Sequence, residues 1–334
     1  MQEQHANYDS MAYWKDYYSF WDAQIREWFN GRQENRNSEL AERFNRFVRD
    51  LVLDDMPEPY YGFPHKGIKA VALHHNPGIS KEGSIRNTCD ERQKYFSLID
   101  DGGWLVRKFR DKCDCSYQNF VENYSCLIPG YRSRTPIVDG VEEEEICGVD
   151  WWQGLEKSVI GKEVKWLGQI YGMATNPDDK RDATRLHPLD VFVLELCPFH
   201  SEDFKLHRQK KFLLDMNSYI MERVFKPTIR VVRENNLPFA VARGAKFKNF
   251  LESMNLQHEK EWSHKDNVEG WPKTKNNNRK NTNRTYRLYT IQDDEGEKAR
   301  LLVTWYQAAY DPPNDGFKQV ERLIRDYVQN NPLG

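Results

Sequence analysis

Glu195 is an acid in an otherwise apolar run, Val191-Phe192-Val193-Leu194-Glu195-Leu196. A carboxylate there is costly unless something pairs with it, so it marks a candidate site. When ionised it only accepts hydrogen bonds, which suits a ligand that presents donors. This run ends in Cys197-Pro198-Phe199-His200, and three more apolar runs also deliver polar turns. Residues 68–73 lead to His74-His75-Asn76-Pro77-Gly78, 239–242 to Arg243-Gly244, and 301–304 to Trp305-Tyr306-Gln307. His74, His75 and His200 therefore cluster at run ends, where an imidazole can meet a phosphate or a sugar substituent. A different chemistry is offered by residues 271–287, WPKTKNNNRKNTNRTYR, which hold Lys273, Lys275, Arg279, Lys280, Arg284 and Arg287 and no acid. That pattern fits contact with a phosphate backbone. Arg243 and Lys246, beside the Arg243-Gly244 turn, join these as candidate contacts.

Delivering such turns takes a sheet. The four apolar runs read as buried strands, and between them lie helical patterns at 204–225 (closed by Pro227), 228–236 and 316–330. The alternation predicts an α/β fold with a central, mostly parallel sheet flanked by helices, whose C-terminal strand ends are where such sheets bind ligands. Upstream, Trp14, Tyr17, Tyr18, Trp21, Ile25 and Trp28 recur at helical spacing until Asn30-Gly31. A second amphipathic helix is expected with Leu40, Phe44, Phe47, Val48 and Leu51 on one face. The expected organisation is one domain over 1–334, with an N-terminal helical extension (1–56), an inserted helical or irregular segment (104–185) and a basic loop (258–287).

Composition excludes several classes. The chain of 334 residues is 39% apolar and 30% charged, enough to bury a core. Its formal charge of −2 argues against coating nucleic acid by bulk electrostatics, though local basic patches remain. Aromatic residues make up 13%, and such side chains stack on bases as readily as they fill cores. No apolar run is long enough to span a membrane. The start, MQEQHANYDSMAYW, lacks a basic region followed by an apolar stretch, so a cytoplasmic protein without secretory signal is expected. The cysteines at 89, 113, 115, 126, 147 and 197 form no zinc-type pair of C-x-x-C elements. Cys113, Cys115, Cys126 and Cys147 match no ferredoxin spacing, and neither metal nor cofactor is expected.

The ordered set of strand ends resembles the uracil-DNA glycosylase superfamily. Asn76-Pro77-Gly78 resembles motif one of its mismatch-specific, thymine and single-strand-selective branches. Leu196-Cys197-Pro198 resembles the base-recognition strand of the single-strand-selective branch, and the segment from Leu301 the strand leading to motif two. The resemblance implies a glycosylase that flips a base out of DNA and hydrolyses its N-glycosidic bond. It gives Asn76 the placing of water at the sugar. Motif two of the family centres on a His that stabilises the departing base. Here the stretch reads Trp305-Tyr306-Gln307, leaving Tyr306 or Gln307 to donate that hydrogen bond. Cys89 stands where the family places the aromatic that stacks on the flipped base, and Tyr95 and Phe96 are the nearest aromatic residues.

The resemblance also makes Glu195 informative, because the family carries there an Asn that reads uracil. A carboxylate repels the O4 of uracil and suits the N4 amine of cytosine. Protonated in a closed pocket, it would donate instead. Gly78 stands where uracil-restricted members use a Tyr to block substituents on carbon five of the pyrimidine. Together these residues imply a five-substituted cytosine, such as the hydroxymethylated and glucosylated forms used by some phages, with His75 and His200 beside the base. The chain resembles defence glycosylases of that kind. No Lys stands among the strand ends to form a Schiff base, so a monofunctional enzyme is expected, acting on DNA as a monomer. The alternatives are a uracil or thymine mismatch-repair glycosylase, and a catalytically inactive nucleic-acid-binding module on the same fold.

Overall fold

The computed structural model describes residues 12–53 (except 15, 18, 22, 26, 29, 32, 33 and 35), 57, 59–61, 68–75, 137–138, 141–142, 166–173, 186, 191–206, 209–263, 285–305 and 318–333. Its strands, in chain order, are β1 (Val48–Val52), β2 (Tyr60–Tyr61), β3 (Ala70–His74), β4 (Ile137–Val138), β5 (Val141–Glu142), β6 (Val191–Glu195), β7 (His200–Leu206), β8 (Ala240–Arg243), β9 (His258–Ser263), β10 (Thr285–Gln292) and β11 (Lys298–Trp305). The chain gathers into two compact units. One comprises Met1–His65, Asn76–Trp151 and Cys197–His207; the other Lys66–His75, Trp152–Leu196 and Arg208–Gly334.

In the first unit the described residues of 12–31 are almost all helical. Trp14, Tyr17, Trp21, Ile25 and Trp28 are buried, as their spacing predicts. Tyr17 lies in ring contact with Trp14 (5.6 Å) and Tyr60 (5.7 Å), and the Trp28 indole donates to the Leu53 carbonyl at 2.9 Å. Ser38 then caps a short helix, Glu39–Asn45, by accepting from the Ala41 N–H. The pattern predicts that this second helix runs on through Leu51. Instead it stops at Asn45, and Val48–Val52 pairs antiparallel with β7. Val48 and Val52 suit a pleated strand better than a helix. A register shift between Arg49 and Leu51 places Asp50 at φ 59°, a conformation Asp tolerates.

The second unit is α/β. Its strands lie in the order β6-β3-β8-β11-β10-β9, the first four mutually parallel and the last two antiparallel additions. The four parallel strands are the four apolar runs read from the sequence. All of β6 is buried, as are all but the last residue of β3 and of β8. That is the pattern of strands covered on both faces. Flanking helices span Gln209–Ile220, Lys226–Glu234, Ala245–Ser253 and Lys318–Asn330.

Three expectations change. Residues 204–206, expected to begin a helix, finish β7, and the helix begins at Gln209. Pro227 does not break the helical run. A π-helical turn, Met221–Phe225, precedes it and leads into Lys226–Glu234, where a residue without an N–H is tolerated in the first turn. Next to it, the Thr228 hydroxyl donates to the Val224 carbonyl at 2.5 Å. Finally, 258–263 and 285–287, expected within a basic loop, are β9 and the start of β10.

The segment expected as an insertion contributes to this unit through residues 166–173. Trp166, Leu167 and Ile170 are buried, and Gly172 ends the helical turn at φ +77°. The Tyr171 hydroxyl accepts from the Val71 N–H (3.2 Å) and donates to the Phe239 carbonyl (2.6 Å), bridging β3 and the residue before β8. Burial pushes its phenol up, so it remains a donor. Gln169 donates to Glu321 at 2.9 Å, and Arg325 donates to the Ile170 carbonyl at 2.6 Å.

Candidate functional site

Strand order selects one place in this unit. Within the sheet, β3 is followed in sequence by β6 on one side and then by β8 on the other. The chain passes from β3 to β6 and then crosses to the other side of β3 to form β8, so the strand order reverses here, and the crevice beyond the C-terminal ends of such strands is where open α/β sheets bind ligands. The strand ends there carry His74, the last residue of β3, with His75 just beyond it, Glu195, the last of β6, and Arg243, the last of β8, with Gly244 just beyond it.

Parallel register sets Glu195 opposite His74. Paired residues of neighbouring strands project from the same face, and His74 Nδ1 lies 3.3 Å from Glu195 Oε1. The glutamate side chain is 3% exposed and the histidine 19%. Just past the pair, the Leu196 N–H donates to the His74 carbonyl at 2.8 Å and extends the clamp between the strands. A buried acid in an apolar run therefore has the partner its burial requires.

The next residue, His75, lies just beyond the strand. Its ring packs on Phe247, with centroids 4.3 Å apart and planes at 32°. Burial, and secondarily the charges of Lys246, His74 and Arg243, hold its imidazole down to about 3, so it is neutral at physiological pH. Phe247 belongs to the helix Ala245–Ser253, which starts directly after Gly244. Gly244 has φ +108°, and its N–H donates to the Thr304 carbonyl at 2.8 Å, tying β8 to β11. A Cβ there would meet His75 Cε1 at 3.3 Å. Arg243 lies over the Trp166 ring at 5.5 Å, Lys246 is exposed, and the first turn of the helix carries no acid. This edge is consequently cationic around one buried carboxylate.

Of the residues singled out in the sequence, Glu195, His75 and Arg243 stand at or just beyond these strand ends, and Lys246 in the first turn of the helix that follows. His200 opens β7, paired in register with Val52. Asn76, Gly78, Tyr95, Phe96, Tyr306, Gln307, Lys273, Lys275, Arg279, Lys280 and Arg284 lie outside the described residues, as do Cys113, Cys115, Cys126 and Cys147. Arg287, counted with the basic stretch, is in β10, ion-paired with Glu252 and Glu261 and 5.3 Å from the Trp305 ring. Among the described residues no group of three His, Cys, Asp or Glu could hold a metal ion, and no helix is long and apolar enough to cross a membrane.

Sequence reasoning misses the role of His74 as partner of Glu195 and the support from Trp166, while Gly244 and Phe247 are read only as a turn and as part of the helix after it. A signal exists for the glycine and the phenylalanine: a Gly directly after a strand, with an aromatic three residues on, is the start of a helix packed against that strand end. Nothing in the sequence singles out Trp166. Compared with family models, curated proteins and solved structures, the chain matches none.

Proposed function

We propose that this chain is a monofunctional DNA glycosylase, similar to the uracil-DNA glycosylase superfamily, that excises a five-substituted cytosine and leaves an abasic site. The observation that carries the reading is Glu195: a carboxylate 3% exposed, 3.3 Å from His74, at the ligand-binding end of a parallel sheet. A buried acceptor beside that crevice suits the exocyclic amine of cytosine and opposes the carbonyl of uracil. The cationic edge made by Arg243 and Lys246 suits the phosphates flanking a flipped nucleotide.

In the proposed reaction the C–N glycosidic bond breaks as positive charge develops on the sugar. A water placed by Asn76 supplies the hydroxyl to the sugar carbon and a proton to the departing base. An amide is no general base at neutral pH, so Asn76 orients the water and modest rates follow. Tyr306 or Gln307 donates to the departing base. The resemblance gives Gly78 the role of admitting the carbon-five substituent, and Tyr95, Phe96 and His200 those of further base contacts. The biological setting that fits is defence against phages with modified DNA, in the cytoplasm, by a monomer.

The test is incubation of the purified full chain with DNAs carrying unmodified, hydroxymethylated or glucosylated cytosine, or uracil, scored for abasic sites. Abasic sites are expected chiefly in the modified-cytosine DNAs, with uracil cut far more slowly. Equal cutting of unmodified cytosine removes the five-substituent part of the reading, and no cutting of any DNA removes the enzyme.

A further inference from the structure

We infer that His74 decides which pyrimidine edge the site accepts, by keeping Glu195 in its acceptor form. The inference rests on the glycosylase reading above and assigns it a positioning residue, since His74 acts through Glu195.

His74 and Glu195 are register partners at adjacent parallel strand ends, with Nδ1 3.3 Å from Oε1. Two lone pairs do not face each other at that distance, so a proton lies between them. An imidazole is the more basic of the two groups and carries it. Oε1 is therefore an acceptor, and the carboxyl group stays ionised. Exposure divides the pair usefully: His74, at 19%, reaches solvent and Glu195, at 3%, does not.

Without His74 the situation inverts. A carboxyl group buried in an apolar strand and deprived of its imidazole takes up a proton and becomes a donor. A donor matches O4 of uracil, whereas an acceptor matches N4 of cytosine. Loss of the imidazole thus reverses the hydrogen-bonding sense of the site as well as loosening it. An asparagine at 74 is the conservative replacement, because its amide nitrogen can stand where Nδ1 stands and still donate.

The experiment compares the wild-type chain with His74→Ala and His74→Asn on duplexes carrying either hydroxymethylcytosine or uracil at one position, under single-turnover conditions. The readout is the ratio of the two excision rates. His74→Ala is expected to lower the cytosine-to-uracil ratio roughly tenfold or more, the scale of a hydrogen bond to a charged group. His74→Asn is expected to retain most of the wild-type ratio. A ratio unchanged in His74→Ala, even with both rates reduced, overturns the inference while leaving the glycosylase intact. A wild-type chain that cuts none of these DNAs marks failure of the glycosylase reading instead. A second measurement, the proton resonance of a hydrogen-bonded imidazole Nδ1–H, needs no activity. It is expected in the wild-type chain and missing in His74→Ala, and its absence from the wild type overturns the pairing.

Discussion

Half-buried His75 and buried Glu195 both stand at the strand ends, and they are kept in opposite ways. Glu195 has the His74 imidazole as its partner, whereas desolvation against Phe247, and after it the charges of Lys246, His74 and Arg243, keeps His75 neutral. The unfolded chain titrates this imidazole near 6.5 and the folded chain near 3. Between those values the unfolded state binds the extra proton. The stability due to a neutral His75 is complete above about pH 6.5 and is lost as pH falls from there, by at most about 1.4 kcal/mol per pH unit. Urea-unfolding midpoints followed from pH 7.5 down to pH 4.5 should therefore decline, and the decline should be shallower in His75→Phe, which keeps the ring packing but cannot titrate. An identical acid limb in the variant would show that His75 is not the group responsible. Glu195 is recognisable from the sequence because an acid inside Val-Phe-Val-Leu is conspicuous. Its partner is not, because which neighbouring strand supplies it depends on pairing and register.

At the scale of elements, the turn from β8 into the helix Ala245–Ser253 does the positioning. Gly244 adopts φ +108°, and the space a side chain would need is taken by the His75 ring. Gly244→Ala is expected to cost about 1–3 kcal/mol, the range for a strained backbone conformation. A lower thermal midpoint, with an altered environment at the His75 ring by NMR, is the expected result; a midpoint equal to the wild type would remove Gly244 as a conformational requirement. The parallel strands β3, β6, β8 and β11 are legible because strands buried on both faces read as continuous apolar runs. Strands β7 (HSEDFKL) and β9 (HEKEWS) are not, since their polar residues resemble loops until a partner strand takes their backbone hydrogen bonds. Pro227 misleads for a related reason: the residue announces an interruption, but the π-helical turn before it absorbs the missing hydrogen bond.

For the molecule as a whole, a formal charge of −2 says little about DNA, because charge is distributed unevenly. Six basic residues and no acid fall in 271–287, yet they are not equivalent. Arg287 is engaged within the sheet unit by Glu252 and Glu261, so Arg287→Ser is expected to lower stability with little effect on DNA affinity. Replacing Lys273, Lys275, Arg279, Lys280 and Arg284 together by Ser is expected to weaken DNA binding. The slope of log affinity against log salt should flatten by about 0.9 for each phosphate that the variant no longer neutralises. A slope equal to the wild type in a titration on duplex DNA would exclude this stretch from the phosphate contacts.

By itself the sequence determined an α/β architecture, the identity of four parallel strands and the presence of one costly acid among them. These follow from local hydrophobic pattern, which needs only neighbouring residues to be read. Tertiary structure alone decided the strand order, and with it the switch point between β3 and β8, because order depends on which distant segments pair. It also decided that His74 stands 3.3 Å from Glu195 and that the neighbouring imidazole of His75 is neutral. Register and burial set both, and neither is a property of any short stretch of chain.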